Sequence, residues 1–427
     1  MKEKKQWWLL VVAALFVLDV SMGGSGVWSE NILGFSVRKI LFLSLFLYAL
    51  ALSVVVTDVR LLIYLCCVVL FYLVWGFLIP GLYNNLDSAL KDFPSLFGIS
   101  FLVLLAMKMP ASVIASLVVF AARCSLLLAF IHCFIATMLY FEVLPLSALN
   151  SFFLEHLVRE GEVYIFSVEP SFRVFWASSS FMIIGYVYYI AKFLVGSRKS
   201  WLSVLVPISI HCVALILTDT RAFQLFMILV LVIYALLLLI QRVYFGPRLL
   251  VAVFYVLALV VFEIIILLSV NPEFLSSLGL AKPGEGSERY DQVSAIFISF
   301  SDSLFWGKGF GASAEGLIRS EIAPWSYEMS IAALLMKLGL IGVLFILHLL
   351  FASLVIPFIC SIREISGSSD VLVNKEMWVL ASAGVSYLLV VSTNPFLFSL
   401  VGFSTVFVFY SWYVFIAKYN RGLYGFE

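Results

Sequence analysis

The sequence predicts an all-α, polytopic integral membrane protein with about twelve transmembrane helices, and three observations support this fold class. Of the 427 residues, 63% are hydrophobic and only 12% are charged, with a mean hydropathy of +1.12. Apolar runs of about 20 residues, the length of a helix that crosses a bilayer, recur along the chain. The remaining charges fall mostly between those runs, as in the loops of membrane proteins. Lipid is therefore the predicted solvent for most of the chain.

The apolar runs divide the chain into spans that belong to a single membrane domain covering residues 1–427. The predicted spans are Trp7–Met22, Lys39–Val56, Leu61–Leu78, Ser95–Met107, Val113–Leu139, Arg173–Val195, Trp201–Leu217, Ala222–Ile240, Leu249–Val270, Ile331–Cys360, Met377–Val391 and Leu397–Ala417. The basic start of the chain resembles that of a signal peptide, but no convincing small-residue cleavage site follows it. We therefore interpret the first run as an uncleaved span.

Lysine and arginine in the loops predict the orientation, because basic residues are retained on the cytoplasmic side during insertion. They favour an orientation with both termini in the cytoplasm. Two long loops, 140–172 and 271–328, then face the outer side of the membrane. In the second loop, apolar residues recur at helical spacing from Tyr290 to Leu304. This spacing predicts an amphipathic interfacial helix that acts as a lid over the active site.

Several function classes are disfavoured by the composition. The six cysteines lie inside apolar segments, and the four histidines lack metal-binding spacing, so we expect no metal. No P-loop, dinucleotide fingerprint or EF-hand occurs, so we expect no nucleotide and no other cofactor. The net charge of +1 provides no basic stripe for nucleic acid. The cysteines are interpreted as small packing residues.

Three polar stretches interrupt the apolar background. The first is LTDTRA, Leu217–Ala222, a tight turn that places Arg221 at the outer end of the eighth span. Thr218, Asp219 and Thr220 are expected to bond the backbone with their side chains. In the simpler interpretation this is a capped turn whose arginine reaches the lipid headgroups.

The second stretch, Ser287–Ser313, contains the predicted interfacial helix and ends in GKGFGA, a glycine-rich turn. Its backbone amides could bind a phosphate group. The third stretch is Pro324–Gly342, in which Glu328 precedes the tenth span and Lys337 lies about two turns further along. A carboxylate at that position can also serve only to cap the helix.

In their order, the three stretches resemble the polysaccharide polymerase and O-antigen ligase superfamily of bacterial envelopes. Members of that superfamily carry T-x-[ST]-R in the first motif and H-N-x-x-L followed by G-x-x-G in the last. The similarity covers about Leu217 to Gly342. Alignment on Gly339–Gly342 puts Glu328 and Met329 where the ligases carry histidine and asparagine. The departure favours the repeat-unit polymerases (Wzy type), which share the GT-C-like architecture.

The resemblance implies a metal-independent glycosyltransferase that polymerises oligosaccharide repeat units carried on polyprenyl diphosphate. It implies a location in the bacterial inner (cytoplasmic) membrane with an active site facing the periplasm. It also implies membrane lipids as surroundings and a chain-length regulator protein as a further candidate partner. Cations near the leaving diphosphate and a base near the acceptor hydroxyl are required. Arg221 and Arg289 are the candidate cations and Glu328 is the candidate base. The candidates for diphosphate or glycan contacts are Arg159, Arg173, Arg319, Tyr327 and Lys308.

Charged residues at membrane depth are costly unless they have partners. We predict that Glu263 and Lys337 form a structural ion pair between consecutive spans, and we assign no role to Arg123. Two other functions stay open: an O-antigen ligase that transfers glycan to a lipid A-core acceptor, and a flippase or exporter of lipid-linked oligosaccharide. The product is a surface polysaccharide, either O-antigen, capsule or exopolysaccharide.

Overall fold

The computed structural model describes most of the predicted spans. The described residues are 2–22, 37–55, 59–83, 85–90, 92, 105–106, 108–156, 163–168, 171–195, 201–218, 220–242, 285–318, 324–327, 330–350, 371–392 and 400–420. They are mostly helical, as the sequence predicts. The predicted ninth span, Leu249–Val270, lies outside the described residues, as does almost all of the fourth.

The helices follow the apolar runs closely. In chain order they are α1 Lys2–Met22, α2 Val37–Val55, α3 Val59–Leu73, α4 Ile79–Leu82, α5 Ala111–Tyr140, α6 Leu146–His156, α7 Met182–Val195, α8 Trp201–Leu217, α9 Arg221–Arg242, α10 Glu285–Ser301, α11 Ser330–Leu350, α12 Val371–Ser392 and α13 Leu400–Asn420. A π-helical turn, Val74–Leu78, joins α3 to α4. The predicted interfacial helix of the second long loop corresponds to α10.

The first long loop departs from the all-α expectation. Strands β1, Val163–Val168, and β2, Ser171–Trp176, form an antiparallel hairpin in which Tyr164 faces Phe175 and Phe166 faces Arg173. The predicted sixth span therefore starts too early, because a 3₁₀ turn, Ala177–Phe181, separates β2 from α7. Hydrophobicity continues from the hairpin into the helix, so the boundary between them is not visible in the composition.

The core is built around α5, which packs against α1, α7, α8 and α13, while α12 packs against α9 and α7. Two buried histidines, His132 on α5 and His211 on α8, lie within this bundle. Each donates Nδ1–H to the carbonyl one turn earlier, at 2.9 and 2.7 Å. The Nε2 atoms lie 2.8 Å from Ser179 Oγ and 3.1 Å from Ser125 Oγ. The two histidines thus each pair with a serine of the bundle.

Large apolar side chains cover the outside of several helices. Exposed examples on α5, α8 and α9 are Leu127, Phe130, Phe134, Leu202, Val206, Val213, Ile216, Leu225, Ile228 and Leu231. Arg123 is also exposed, on the surface of α5. Among the described residues, two helical stretches are long and apolar enough to cross a membrane by length and composition, Leu65–Leu82 and Ala111–Tyr140. Several shorter apolar helices accompany them.

Close packing at Gly185 gives a test of this interior. A Cβ atom at Gly185 would collide with Nε2 of His211 and Oγ of Ser125. We expect Gly185→Ala to lower the free energy of unfolding by about 1–3 kcal/mol, as overpacking does. Gly384→Ala on α12 is the matched control, because its Cβ would meet open space. Thermal unfolding of the purified variants in detergent measures both, and equal melting temperatures would contradict this packing.

Candidate functional site

The helix α11 is broken at Gly339, and this break organises the candidate site. Gly339 has φ 62° and ψ −175°, which interrupts the helical hydrogen bonds in the middle of an apolar segment. A left-handed φ of this kind is readily adopted only by glycine. The break leaves carbonyl groups without partners in the first half of α11 and amide groups without partners in the second. Partners for both sets must come from another part of the chain.

The glycine-rich turn after α10 supplies donors to the first half of α11. The amide of Lys308 donates to the Met336 carbonyl at 3.0 Å, and the amide of Gly309 donates to the Lys337 carbonyl at 2.8 Å. The third carbonyl, of Leu338, accepts a bond of 2.8 Å from the indole Nε1 of Trp75. The last turn before the break is therefore capped by three donors.

The same turn supplies acceptors to the second half of α11. The amides of Leu340 and Ile341 donate to the carbonyls of Leu304 and Phe305 at 2.9 and 3.0 Å. Gly307 and Gly339 touch backbone to backbone, so that a Cβ on either glycine would collide with the other. Residues 304–309 thus pair with both sides of the break. We call this arrangement the broken-helix clamp.

Trp75, in the π-helical turn, ties α3 to the clamp. Its indole Nε1 also lies 2.9 Å from the Trp306 carbonyl, and its own carbonyl accepts the Phe310 amide at 3.0 Å. The Phe71 ring stacks on that of Trp75, with centroids 5.0 Å apart, and meets the Phe310 ring edge-on. The sequence offers no signal for this role, because Trp75 lies inside a continuous apolar run.

The glycine-rich turn does not offer its amides to a phosphate, contrary to the sequence-based expectation. Gly307, Gly309 and Gly311 have φ between 69° and 80°, which glycine alone adopts easily. Each amide from Gly307 to Gly311 nevertheless donates to a group of the protein. The turn is a structural insert in the broken helix, and its backbone amides are already used by protein groups.

Lys337 forms an ion pair with Asp92. Its Nζ lies 2.6 Å from Asp92 Oδ2, and only 9% and 10% of the two side chains are exposed. The same carboxylate oxygen accepts the Gly311 amide at 2.9 Å. The predicted partner of Lys337, Glu263, lies outside the described residues. Sequence reasoning missed Asp92, because an acid in a short polar loop does not indicate which distant residue it meets.

Lys308 is held by two carboxylates. Its Nζ lies 3.0 Å from Glu315 Oε1 and 3.4 Å from Asp302 Oδ2. The ammonium end is largely buried, whereas the side chains of Asp302 and Glu315 are 55% and 77% exposed. Carboxylates with this exposure are easily rearranged. Contact of Lys308 with a diphosphate stays a prediction that requires these partners to move.

Tyr327 is buried beneath the loop instead of facing outward. Its hydroxyl accepts the Ala314 amide at 2.6 Å and donates to the Leu317 carbonyl at 3.2 Å. Burial raises the pKa of the Tyr327 phenol above its ordinary value of 10.0, while the bond from Ala314 acts in the opposite direction. The neutral hydroxyl therefore links Ala314 to Leu317. Val293 of α10 belongs to the same buried apolar cluster as the Tyr327 ring.

Arg173 lies on β2 and contacts the LTDTRA turn. Its Nε donates to the Thr218 carbonyl at 3.0 Å, and its guanidinium lies 5.4 Å from the Phe166 ring centroid. Thr218 Oγ1 donates to the Leu215 carbonyl, and Thr220 Oγ1 donates to the Thr218 carbonyl. The expected side-chain bonds of the two threonines are confirmed.

The remaining candidates are only partly described. The backbone of Arg221 begins α9 and that of Arg289 lies in α10, without described side chains. Glu328, Arg159 and Arg319 lie outside the described residues. Within the described part of the chain, no group of three or more histidine, cysteine, aspartate or glutamate side chains could hold a metal ion. The meeting of Arg221, Arg289 and Glu328 stays a prediction.

No model of a known protein family matches the chain, and no curated protein matches it.

The clamp predicts unequal effects at two glycines with the same backbone angle. Gly311 and Gly316 both have φ 76°, but only a Cβ on Gly311 would collide with backbone, that of Ala89. We expect Gly316→Ala to destabilise by about 1–2 kcal/mol through the angle alone. Gly311→Ala should cost roughly 2–5 kcal/mol, because overpacking adds to the angular strain. Melting temperatures in detergent measure both, and a smaller loss for Gly311→Ala would refute the close approach.

Proposed function

We propose that the chain is a polytopic inner-membrane protein of about twelve spans with both termini in the cytoplasm. The apolar outer surfaces of α5, α8 and α9 support this, because soluble proteins rarely expose apolar patches of such extent. Buried serine and histidine side chains inside the bundle support it as well. Membrane helices often pack through small and hydrogen-bonded polar residues.

Contacts between segments predicted to share one face also support the topology. Asp92, in the loop after the third predicted span, binds Gly311 of the second long loop and Lys337, which lies in the outer half of the tenth predicted span. Arg173 and Thr218, from two other outer segments, bind each other. Near the predicted inner side, Trp412 Nε1 donates to Glu376 at 2.8 Å. Each of these contacts therefore joins segments that the proposed topology assigns to the same side of the membrane.

Reporter fusions test this orientation. Alkaline phosphatase, which is active only outside the cytoplasm, should be active when fused after Gly316 and inactive when fused after Arg242. A fluorescent protein that folds only in the cytoplasm should be bright when fused after Glu427. The opposite pattern would reverse the topology and move the proposed site to the cytoplasmic face.

We infer further that the protein is a repeat-unit polymerase acting on polyprenyl-diphosphate-linked oligosaccharide at the periplasmic face. The observation that carries this inference is the clamp, since it joins two of the three stretches on which the resemblance rests, Ser287–Ser313 and Pro324–Gly342. The remaining stretch, LTDTRA, contacts Arg173 of β2. Each polar stretch thus has a structural partner from an outer segment.

The proposed reaction is a displacement at the anomeric carbon of the donor sugar. The acceptor hydroxyl oxygen bonds to that carbon, and Glu328 takes the proton of the hydroxyl. The bond from carbon to the diphosphate oxygen breaks, and its electron pair leaves on the diphosphate. Arg221 and Arg289 stabilise the negative charge that gathers there. The donor sugar is already activated by its bond to the lipid diphosphate, so the scheme needs no nucleotide.

Alanine variants of the three residues test the function in a host whose own copy is deleted. We expect Arg221→Ala, Arg289→Ala and Glu328→Ala to leave glycans of one repeat, with loss of a catalytic base slowing transfer by roughly 10²- to 10⁴-fold. Arg242→Ala is the matched control, because Arg221 and Arg242 bound the same helix. Glycan length is read on a gel at matched protein amounts.

The glycan pattern also separates the alternatives. Accumulated lipid-linked polymer would indicate a ligase, and complete absence of surface glycan would indicate an exporter. Normal glycan length in all three variants would reject the site assignment. Arg221→Lys adds a finer test, because lysine keeps the charge but loses the planar fork that binds phosphate oxygens in pairs. An intermediate chain length is expected for that variant.

A further inference from the structure

One carboxylate oxygen joins three segments that are far apart in the sequence. Asp92 Oδ2 lies 2.6 Å from Lys337 Nζ on α11 and accepts the Gly311 amide from the glycine-rich turn at 2.9 Å. Asp92 and Gly311 are 219 positions apart. The backbone bonds of the clamp already fix the turn against the break. The Asp92 carboxylate additionally attaches the segment after α4 to both the turn and α11.

Burial of this ion pair requires a reason other than stability. Both side chains are about nine-tenths buried, and removing two charges from water offsets most of their attraction. An apolar pair of similar volume often stabilises a protein as well or better. An ion pair differs from an apolar contact in that its atoms are held at one distance and in one direction. The geometry that it imposes is therefore the property to explain.

The helix segment that carries Lys337 is close in sequence to the proposed base. Lys337 lies in the last turn of α11 before Gly339, so its side chain sets the rotation of the first half of the helix. This half begins at Ser330, and Glu328 precedes it by two residues in the sequence. A displacement of about 1 Å at a reacting group can slow an enzyme roughly 100-fold. Fixed rotation of this half-helix is thus a requirement of the proposed chemistry.

We propose that Asp92 is a positioning residue of the transferase site, which acts through Lys337 and the glycine-rich turn on the segment preceding α11. This inference rests on the proposed function. Asp92 does not contact the reacting atoms. It fixes the direction of the half-helix that follows Glu328 in the sequence, and it fixes the turn that closes the break.

The test compares an ionic pair with an apolar pair of similar size. Asp92→Leu combined with Lys337→Met removes both charges, so no buried charge is left without a partner. Asp92→Glu keeps the charge on a longer side chain, and Asp87→Asn changes an exposed acid of the same segment. We expect the double variant to accumulate normally and to add repeats roughly 10- to 100-fold more slowly. Asp92→Glu should give glycan chains longer than those of the double variant and shorter than those of the unaltered protein. Asp87→Asn should give chains of the same length as the unaltered protein.

A distance measurement provides a readout that does not depend on activity. Spin labels on Ile318→Cys and Leu344→Cys, in a functional background without native cysteines, report the separation of the loop from α11. Both side chains are well exposed, at 63% and 64%. The distance distribution should be narrow with Asp92 and Lys337 present, and shifted or broadened in the double variant.

The two readouts together decide the proposal. A changed distance distribution together with short glycans at matched protein amount supports positioning by Asp92. An unchanged distribution overturns it, whatever the glycan length. A changed distribution with normal glycan, while Glu328→Ala gives one-repeat glycans, shows that transfer tolerates the movement and also overturns it. Normal glycan in the double variant and in Glu328→Ala alike would instead show that the proposed function itself fails.

Discussion

The arrangement of α3, α10 and α11 depends on how the backbone of α11 is hydrogen-bonded at its break. An unpaired amide or carbonyl group costs several kcal/mol in an apolar medium, so a break inside an apolar helix needs partners for both sides. Residues 304–309 and the Trp75 indole supply them. The GKGFG and KLGLIG segments are therefore two halves of one structural unit. Glycine is required at positions 307 and 339, because a Cβ on either residue would collide with the backbone of the other.

This unit changes how the glycine-rich turn should be understood. Turns of this composition bind phosphate when their amides point into open space, which allows an anion to complete the hydrogen bonding. Here α11, Trp75 and Asp92 complete it instead. The glycines serve a close approach between backbones and not a ligand. Charge for the proposed diphosphate would then come from side chains, and the described candidate within the turn, Lys308, already holds two carboxylate partners.

Apolar runs were sufficient to predict most helices, and the threonines of LTDTRA were sufficient to predict its capped turn, because both depend on neighbours in the sequence. The limits of α8, Trp201–Leu217, agree with the predicted span. The hairpin before α7 was missed, since β1 and β2 are as apolar as the helix that follows. Asp92 and Trp75 were missed for another reason. Their partners are more than 200 positions away, and a single sequence does not show which distant residues meet.

The way the break is closed also bears on the choice between a transferase and a carrier. In transporters built on broken helices, the helix ends stay open to bind ions or substrate and move between two states. In this chain the ends of α11 are filled by its own loop. Movement of α11 past that loop would separate several buried backbone bonds without offering new partners. A rigid outer scaffold suits an enzyme that must hold a lipid diphosphate and an alcohol in one geometry. The clamp therefore favours transfer at a fixed site over alternating access.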